Sequence, residues 1–340
     1  MSERALREIY LAAFERIVTK AHPATIMCSY NAINGTLNSQ NFRLLTTILR
    51  DEWGFDGVVM SDWGAVADHI AALRAGLDLE MPGKGPQSTT EIVEAVQHGD
   101  LTEATLNIAV KRVLKMIHEW HVDSTPHAYD QEKQHQFARQ LAANSFILLK
   151  NDHQVLPLDN LQDVTILGEL AEKPRYQGGG SSHVNAFRVT TPLSVAQAAG
   201  NTTYQAAYQV NATQSDPNRL AQAVAAAKKA PAVVIFAGVP EALESEGFDK
   251  TTMALPENQN TLISQVAAVN NRTVVVLQNG SAIEMPWADD VAAILETYLA
   301  GEAVGEATWD VLTGAVNPSG KLAESFPFKL ADNPTYGTFN

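Results

Sequence analysis

The chain has 340 residues, more than one compact core needs, and its 45% hydrophobic and 18% charged content excludes wholesale disorder. A formal net charge of −14, with no run of Lys or Arg to offset it, argues against nucleic acid and against an anionic membrane as partners. The single cysteine, Cys28, rules out an intrachain disulfide, and no stretch approaches the roughly 18 consecutive apolar residues of a membrane span.

The N-terminal segment is charged and amphipathic, without the apolar region of a secretory leader, which makes the cytoplasm the expected location. Leu6, Ile9, Tyr10 and Phe14 recur at helical spacing, so residues 5–17 read as an amphipathic helix with no lead-in strand. Residues 24–29 are a short apolar run suited to a buried strand, and Asn34-Gly35 marks a turn. Leu44, Leu45, Ile48 and Leu49 share one face of a second helix that Gly54 closes. GVVMSD at 57–62 is the next strand, 65–75 a helix stopped by Gly76, and 77–81 a third strand ending at Pro82. Helices follow around 88–98 and 102–120. This alternation is the rhythm of a parallel α/β fold. Three strands do not close an eight-stranded barrel, which takes about 250 residues. The region is therefore either a small open sheet or the last part of a barrel.

Residues 121–136 are polar, break both periodicities and read as a solvated linker. The tract holds His121, His127 and His135 without the tightly spaced carboxylate or Cys partners of a metal site, so no metal is expected. A second α/β series begins near 137. Its strand candidates are 145–150, 163–168, 232–239, 273–279 and 292–299, with Ala-rich helices at 217–229 and 257–269. Near-continuous apolar strands imply helices on both faces of a parallel sheet, here of five or six strands. The expected division is a barrel part at 1–122, a linker at 123–140, a second α/β domain at 141–328 and a tail at 329–340.

Working groups of parallel α/β barrels sit at the C-terminal ends of strands, and Asp62 ends the strand 57–62 with Trp63 beside it. That pair suits a sugar: the carboxylate faces the anomeric carbon and the indole stacks on the ring. On spacing alone, Asp62 reads first as a cap of the following helix. Tyr30 and Asn31 end the strand 24–29 in the same way. A phenol there either hydrogen-bonds a carboxylate and holds it ionised, or is satisfied by a loop carbonyl.

Residues 176–183 (YQGGGSSH) carry three glycines and two serines, but neither the Lys of a phosphate loop nor a dinucleotide fingerprint. The glycines support a tight loop approaching something closely. Ser181, Ser182 and His183 would serve nucleophilic catalysis only with a base and an oxyanion hole, and the Gly-x-Ser-x-Gly elbow is missing. Glu241, Glu244, Glu246 and Asp249 crowd the loop after strand 232–239. This loop is either solvated surface or the source of a second carboxyl for a site begun elsewhere, since retaining glycosidases pair two carboxyls about 5–5.5 Å apart.

IMCSYNAING, NFRLLTTILRDEWGFDGVVMSDW and AGLDLEMPG resemble the C-terminal part of the catalytic barrel of family 3 glycoside hydrolases. ANSFILLKNDHQVLPL, GGGSSHV, ESEGFDK followed by LPENQ, GSAIEMPW and NPSGKLAESFP are similar to that family's α/β sandwich domain, in order through almost the whole chain. The resemblance implies an α/β fold: about three strands from the C-terminal part of a (β/α)8 TIM-type barrel, then an α/β sandwich of five or six strands. The first part of the barrel and any C-terminal fibronectin-like domain would be absent.

It further implies a retaining exo-β-glycosidase, a β-glucosidase above all, that needs no cofactor. Asp62 would be the nucleophile and Glu246 the general acid/base, with Glu244 its rival. Trp63 would wall the sugar subsite, Tyr30 would contact the nucleophile, and Ser182 would lie on a loop that contributes to the site. Lys250 stands where the family usually has Arg, which bears on a fixed carboxylate pairing. The family's sugar-holding residues from the earlier strands have no counterpart in the chain. On that ground the chain alone is expected to be inactive. Its expected partners are a β-glucoside or oligosaccharide substrate and either a complementing N-terminal barrel half or a second copy. The alternative is a non-catalytic fragment that binds sugar or a partner chain through an exposed barrel edge.

Overall fold

A computed structural model describes residues 1–121, 128–159, 164–200 and 202–338. The chain divides into two units, Met1–Pro126 and His127–Asn340. In the first unit the N-terminal helix runs beyond the expected 5–17. A short stretch at Glu3–Ala5 widens into the turn Leu6–Tyr10 and continues as α1 (Ala12–Ala21). In the wide turn the Leu11 amide reaches back five residues to the Leu6 carbonyl, at 2.8 Å. That rotates the apolar stripe. Leu6, Leu11 and Val18 are buried, whereas Ile9, Tyr10 and Phe14 are exposed.

Strands β1 (Thr25–Cys28) and β2 (Val58–Ser61) pair in parallel, with Cys28 opposite Ser61. Between them α2 (Arg43–Glu52), also wound in wide turns, buries Leu45, Ile48 and Leu49. Helices α3 (His69–Ala75), α4 (Pro86–His98) and α5 (Glu103–Glu119) follow. The expected third strand at 77–81 contracts to one parallel bridge, Met60 with Leu79. Asp78 breaks the ladder: its carboxylate accepts the Val59 amide at 2.9 Å, while the Asp78 and Leu79 amides both donate to the Val59 carbonyl.

The same carboxylate is almost completely buried between two arginines, at 2.6 Å from Arg50 and 3.1 Å from Arg112. Arg50 also donates to the carbonyls of Gly57 and Gly76. Asp78 therefore ties α2 and α5 to the strand that ends next to Asp62.

The second unit opens with α6 (Gln131–Ser145), whose N-cap Asp130 accepts the Lys133 amide at 3.0 Å. This corrects the linker expected at 121–136 and 123–140, of which 122–127, with His127, lies outside the described residues. His135 is fully buried rather than solvated. Its Nδ1 lies 2.8 Å from Glu302 and its Nε2 3.3 Å from Glu306. Helix α6 buries only His135, Ala142 and Ala143, and Arg139 pairs with Asp310 at 2.6 Å, so its inner face lacks the broad apolar stripe that sequence patterning reads.

The sheet has six strands: β3 (Ile147–Asn151), β4 (Val164–Leu167), β5 (Thr203–Gln205), β6 (Ala232–Gly238), β7 (Thr273–Gln278) and β8 (Ala293–Glu296). Their order is β3-β8-β7-β6-β4-β5, all parallel except β3, which runs antiparallel to β8. Every residue of β4, β6, β7 and β8 is buried, as the apolar runs require. The short edge strand β5 lacks such a run and has no counterpart among the strand candidates. Helices α7 (Pro192–Ala199) and α10 (Val304–Leu312) pack with each other, α10 also packs on α6, and α8 (Pro217–Ala227) packs with α9 (Glu257–Ala267). Among the described residues, no helix is long and apolar enough to cross a membrane.

Asp78→Asn removes the counter-charge of a buried arginine and is expected to destabilise the first unit by about 3–5 kcal/mol. Denaturant unfolding measures it; a loss below about 1 kcal/mol would show that Arg50 needs no ionic partner.

Candidate active site

Asp62 is half-buried at the C-terminal end of β2. Its amide donates to the Cys28 carbonyl at 3.1 Å, which carries the β1–β2 pairing one residue further. One carboxylate oxygen accepts the Trp63 amide at 2.7 Å. The helix-cap alternative fails, because α3 starts at His69 and its N-cap is Asp68, whose carboxylate accepts the Ala71 amide. The Tyr30 hydroxyl donates to the Trp63 carbonyl at 2.9 Å. Tyr30, Asp62 and Trp63 thus gather at one end of the β1–β2 pair, with Trp63 65% exposed.

In the second unit four stretches of chain meet around a cavity of about 450 Å³, lined by Arg175, Ser181, Glu244, Glu246, Phe248 and Lys250 among others. The acidic loop is not simply solvated. The Glu244 carboxylate accepts from Arg175, from Ser281 Oγ, from the Gly280 amide at 2.7 Å and from Lys250 at 3.2 Å. Burial alone would raise this carboxyl. Donation from Ser281, Gly280 and Arg175, with the Lys250 charge, outweighs it and holds Glu244 down at about 2. Lys250 is a point charge shared between Glu244 and Ser281.

Glu246 is exposed, and its Oε2 accepts both the hydroxyl and the amide of Ser181 at 2.6 Å each. These two bonds pull its carboxyl below the ordinary value. The serine that reaches Glu246 is therefore Ser181. Ser182 lines the cavity but donates to the Gly179 carbonyl within its own turn. The glycines have a clear use: a Cβ on Gly179 would fall 2.4 Å from Ser245 Oγ, and one on Gly180, at φ +75°, 2.5 Å from Glu246 Oε2. What the loop approaches is the acidic loop.

A third carboxyl lies within electrostatic reach of Glu244. Glu296, fully buried at the end of β8, accepts from the Asn279 amide group at 3.0 Å and the Tyr298 amide at 2.9 Å. Burial pushes it up to about 8; those two donors oppose the rise and the charge on Glu244 adds to it. Sequence reasoning did not single out Arg175 or Glu296, which stand in an aperiodic stretch and at a strand end. The signal was indirect: an acidic loop over a hydrophobic sheet needs donors from elsewhere in the chain.

Comparison with known proteins gives two family matches: the glycosyl hydrolase family 3 N-terminal domain over residues 1–116 and the glycosyl hydrolase family 3 C-terminal domain over 146–340. The chain is 48% identical to thermostable beta-glucosidase B of Acetivibrio thermocellus, covering 100% of this chain and 46% of that one. It is 45% identical to exo-alpha-(1->6)-L-arabinopyranosidase of Bifidobacterium longum, covering 98% and 46%. The crystal structure of the Bifidobacterium adolescentis GH3 beta-glucosidase superposes with a TM-score of 0.92 at 42% identity, covering 98% of this chain and 50% of that one. The chain thus spans about half the length of the relatives it matches.

Between about pH 4.5 and 8 the native state keeps the Glu296 proton that the unfolded chain has lost, so stability falls with rising pH across that window. One proton corresponds to a slope of at most about 1.4 kcal/mol per pH unit. Glu296→Gln should flatten this decline, as read from denaturation midpoints at pH 5 and 8; an equal decline in both chains would contradict a protonated Glu296.

Proposed function

The chain belongs to glycosyl hydrolase family 3, and on that premise we propose that it supplies both catalytic carboxyls of a retaining exo-β-glycosidase, a β-glucosidase acting on terminal non-reducing β-D-glucosyl residues. The Asp62 carboxylate attacks the anomeric carbon while Glu246 protonates the departing oxygen, leaving a glycosyl ester on Asp62. Glu246, now ionised, takes a proton from water, which displaces Asp62 and releases the sugar with its configuration retained. Trp63 offers an exposed indole to the ring's C–H face, and Tyr30 braces the Trp63 backbone. Ser182 lines the cavity from its own turn.

The observation that carries the assignment is the contrast within the acidic loop. Glu244 is consumed by Arg175, Lys250, Ser281 and Gly280, whereas Glu246 stands exposed at the cavity with one serine on it. An acid/base must exchange its proton, which favours Glu246. A second glycone, α-L-arabinopyranosyl, is supported by the 45% identity to the arabinopyranosidase of Bifidobacterium longum.

The first unit lends support to a site that is open when the chain is alone. Among the described residues β1 has one strand partner, and Met27 on it is 57% exposed, as are large parts of Tyr30 and Trp63. Sugar sites are concave and enclose most of their ligand. A complementing polypeptide or a second copy that pairs with the free edge of β1 would supply the missing wall.

The test uses 4-nitrophenyl β-D-glucoside and 4-nitrophenyl α-L-arabinopyranoside. The chain is assayed alone and mixed with the part of the Acetivibrio thermocellus relative that it does not match. Little or no turnover is expected alone, and turnover on mixing. Asp62→Ala should abolish it, and Glu246→Ala should lower it about 10²–10⁴-fold, most of all for poor leaving groups. Activity that survives Asp62→Ala would sink the nucleophile, and an inverted first product by NMR would sink the double displacement. Turnover by the chain alone that Asp62→Ala removes would sink its inactivity. A mixture that binds sugar yet never turns over would favour the non-catalytic alternative.

A further inference from the structure

Ser181 spends both of its donors on one oxygen. Its amide and its hydroxyl each lie 2.6 Å from Oε2 of Glu246, from a turn (Gly180–Ser182) that the glycines let approach this closely. We propose that Ser181 is a positioning residue for Glu246: it pins Oε2 as a hydrogen-bond acceptor and so assigns to Oε1 the proton that is given to the leaving oxygen and later regained from water.

The argument is geometric. A carboxyl that accepts two short hydrogen bonds on one oxygen carries its proton on the other, because an O–H on the bonded oxygen would have to give up an acceptor site. Fixing one oxygen also fixes the carboxyl plane, which matters because an exposed glutamate otherwise rotates freely about its terminal torsion. In the forward step the proton leaves Oε1 as the glycosidic C–O bond breaks and its electron pair passes to the departing oxygen. In the return step Oε1 receives a proton from water.

The charged groups around this carboxyl leave Ser181 as the local control. Arg175, on the segment before the glycine loop, and Lys250 are both directed at Glu244. On its own loop Glu241 lies against Gly179, and Glu244 and Asp249 are the other acids. On the glycine loop the His183 ring faces Gln177. Two donors on the ionised form favour it, so removing the hydroxyl should keep Glu246 protonated to higher pH.

This inference rests on the acid/base reading of Glu246, but its test needs no turnover. The full chain, with its glutamate carboxyls labelled with ¹³C, is titrated by NMR, and the Glu246 signal is identified by its loss in Glu246→Gln. In Ser181→Ala the Glu246 midpoint should rise by about half a pH unit or more, and Ser181→Thr, which keeps the hydroxyl, should return it towards the original value. The Glu244 midpoint should not move, because none of its donors has changed. An unchanged Glu246 midpoint in Ser181→Ala would overturn the proposal. So would a rise that Ser181→Thr shares, or one that Glu244 follows, since either would mean the loop had merely shifted. In the assembled enzyme the alkaline limb of kcat/KM should move to higher pH in Ser181→Ala. An assembled Glu246→Gln enzyme of undiminished activity would instead overturn the acid/base reading while the titration stood.

Discussion

A carboxylate withdrawn from water must be given donors, and around Glu244 that requirement organises the second unit's loops. Arg175 grips its carboxylate and its backbone carbonyl, Lys250 and Ser281 approach its other oxygen, and the Gly280 amide completes the set. These donors come from three separate parts of the chain: Arg175 on the segment after β4, Lys250 on the loop after β6, and Gly280 and Ser281 directly beyond β7. Glu244 is thus the point at which the sheet fixes an otherwise polar loop, and Glu246 sits two residues beyond that anchor. The close contacts of Gly179 and Gly180 only have meaning if the loop they touch is held still.

The first unit solves a different problem with the same chemistry. Two strands offer few backbone bonds with which to place a side chain, so the strand end that bears Asp62 is braced from outside. Asp78 inserts its carboxylate into the ladder beside β2 and draws in Arg50 and Arg112 from two helices. Ser61 is held from the same side, its hydroxyl accepting the Met81 amide at 2.7 Å. Ionic cross-bracing of this kind is costly to bury and holds only while every partner is in place.

The parts of this architecture that are legible in sequence are those where burial is uniform. Strands β6, β7 and β8 are continuous apolar runs because both faces are covered, and their limits fall within a few residues of the expected ones. Helix α6 was hidden because its buried residues include a histidine whose partners lie 167 and 171 residues away. The third strand was overdrawn because Asp78 substitutes its side chain for a backbone acceptor, which no hydrophobic pattern records. At the site, the motif resemblance points to the loops that line the cavity, and which serine of GGGSS meets Glu246 depends on a turn whose direction is set by contacts. Glu244 and Glu246 differ by two positions and have the same side chain. Only the donors that fold around each of them tell them apart.

That separation has a chemical consequence. Three glutamates differ in what surrounds them: Glu244 and Glu246 line one cavity, and Glu296 lies within reach of the Glu244 charge. Glu244, with donors on every side, is held ionised down to about pH 2. Glu296, fully buried at the end of an inner strand with two donors and a neighbouring negative charge, holds its proton up to about pH 8. Neither can exchange a proton with a substrate in the range between. Glu246 is exposed and accepts two bonds from Ser181, which hold its carboxyl below the ordinary value while its exposure leaves it open to what it faces. Glycoside hydrolysis by double displacement asks one carboxyl to be an acid in one step and a base in the next. Of the three, Glu246 has the surroundings for that alternation. The other two meet the opposite need, for a carboxyl that stays in one state, and thereby keep the framework around it constant.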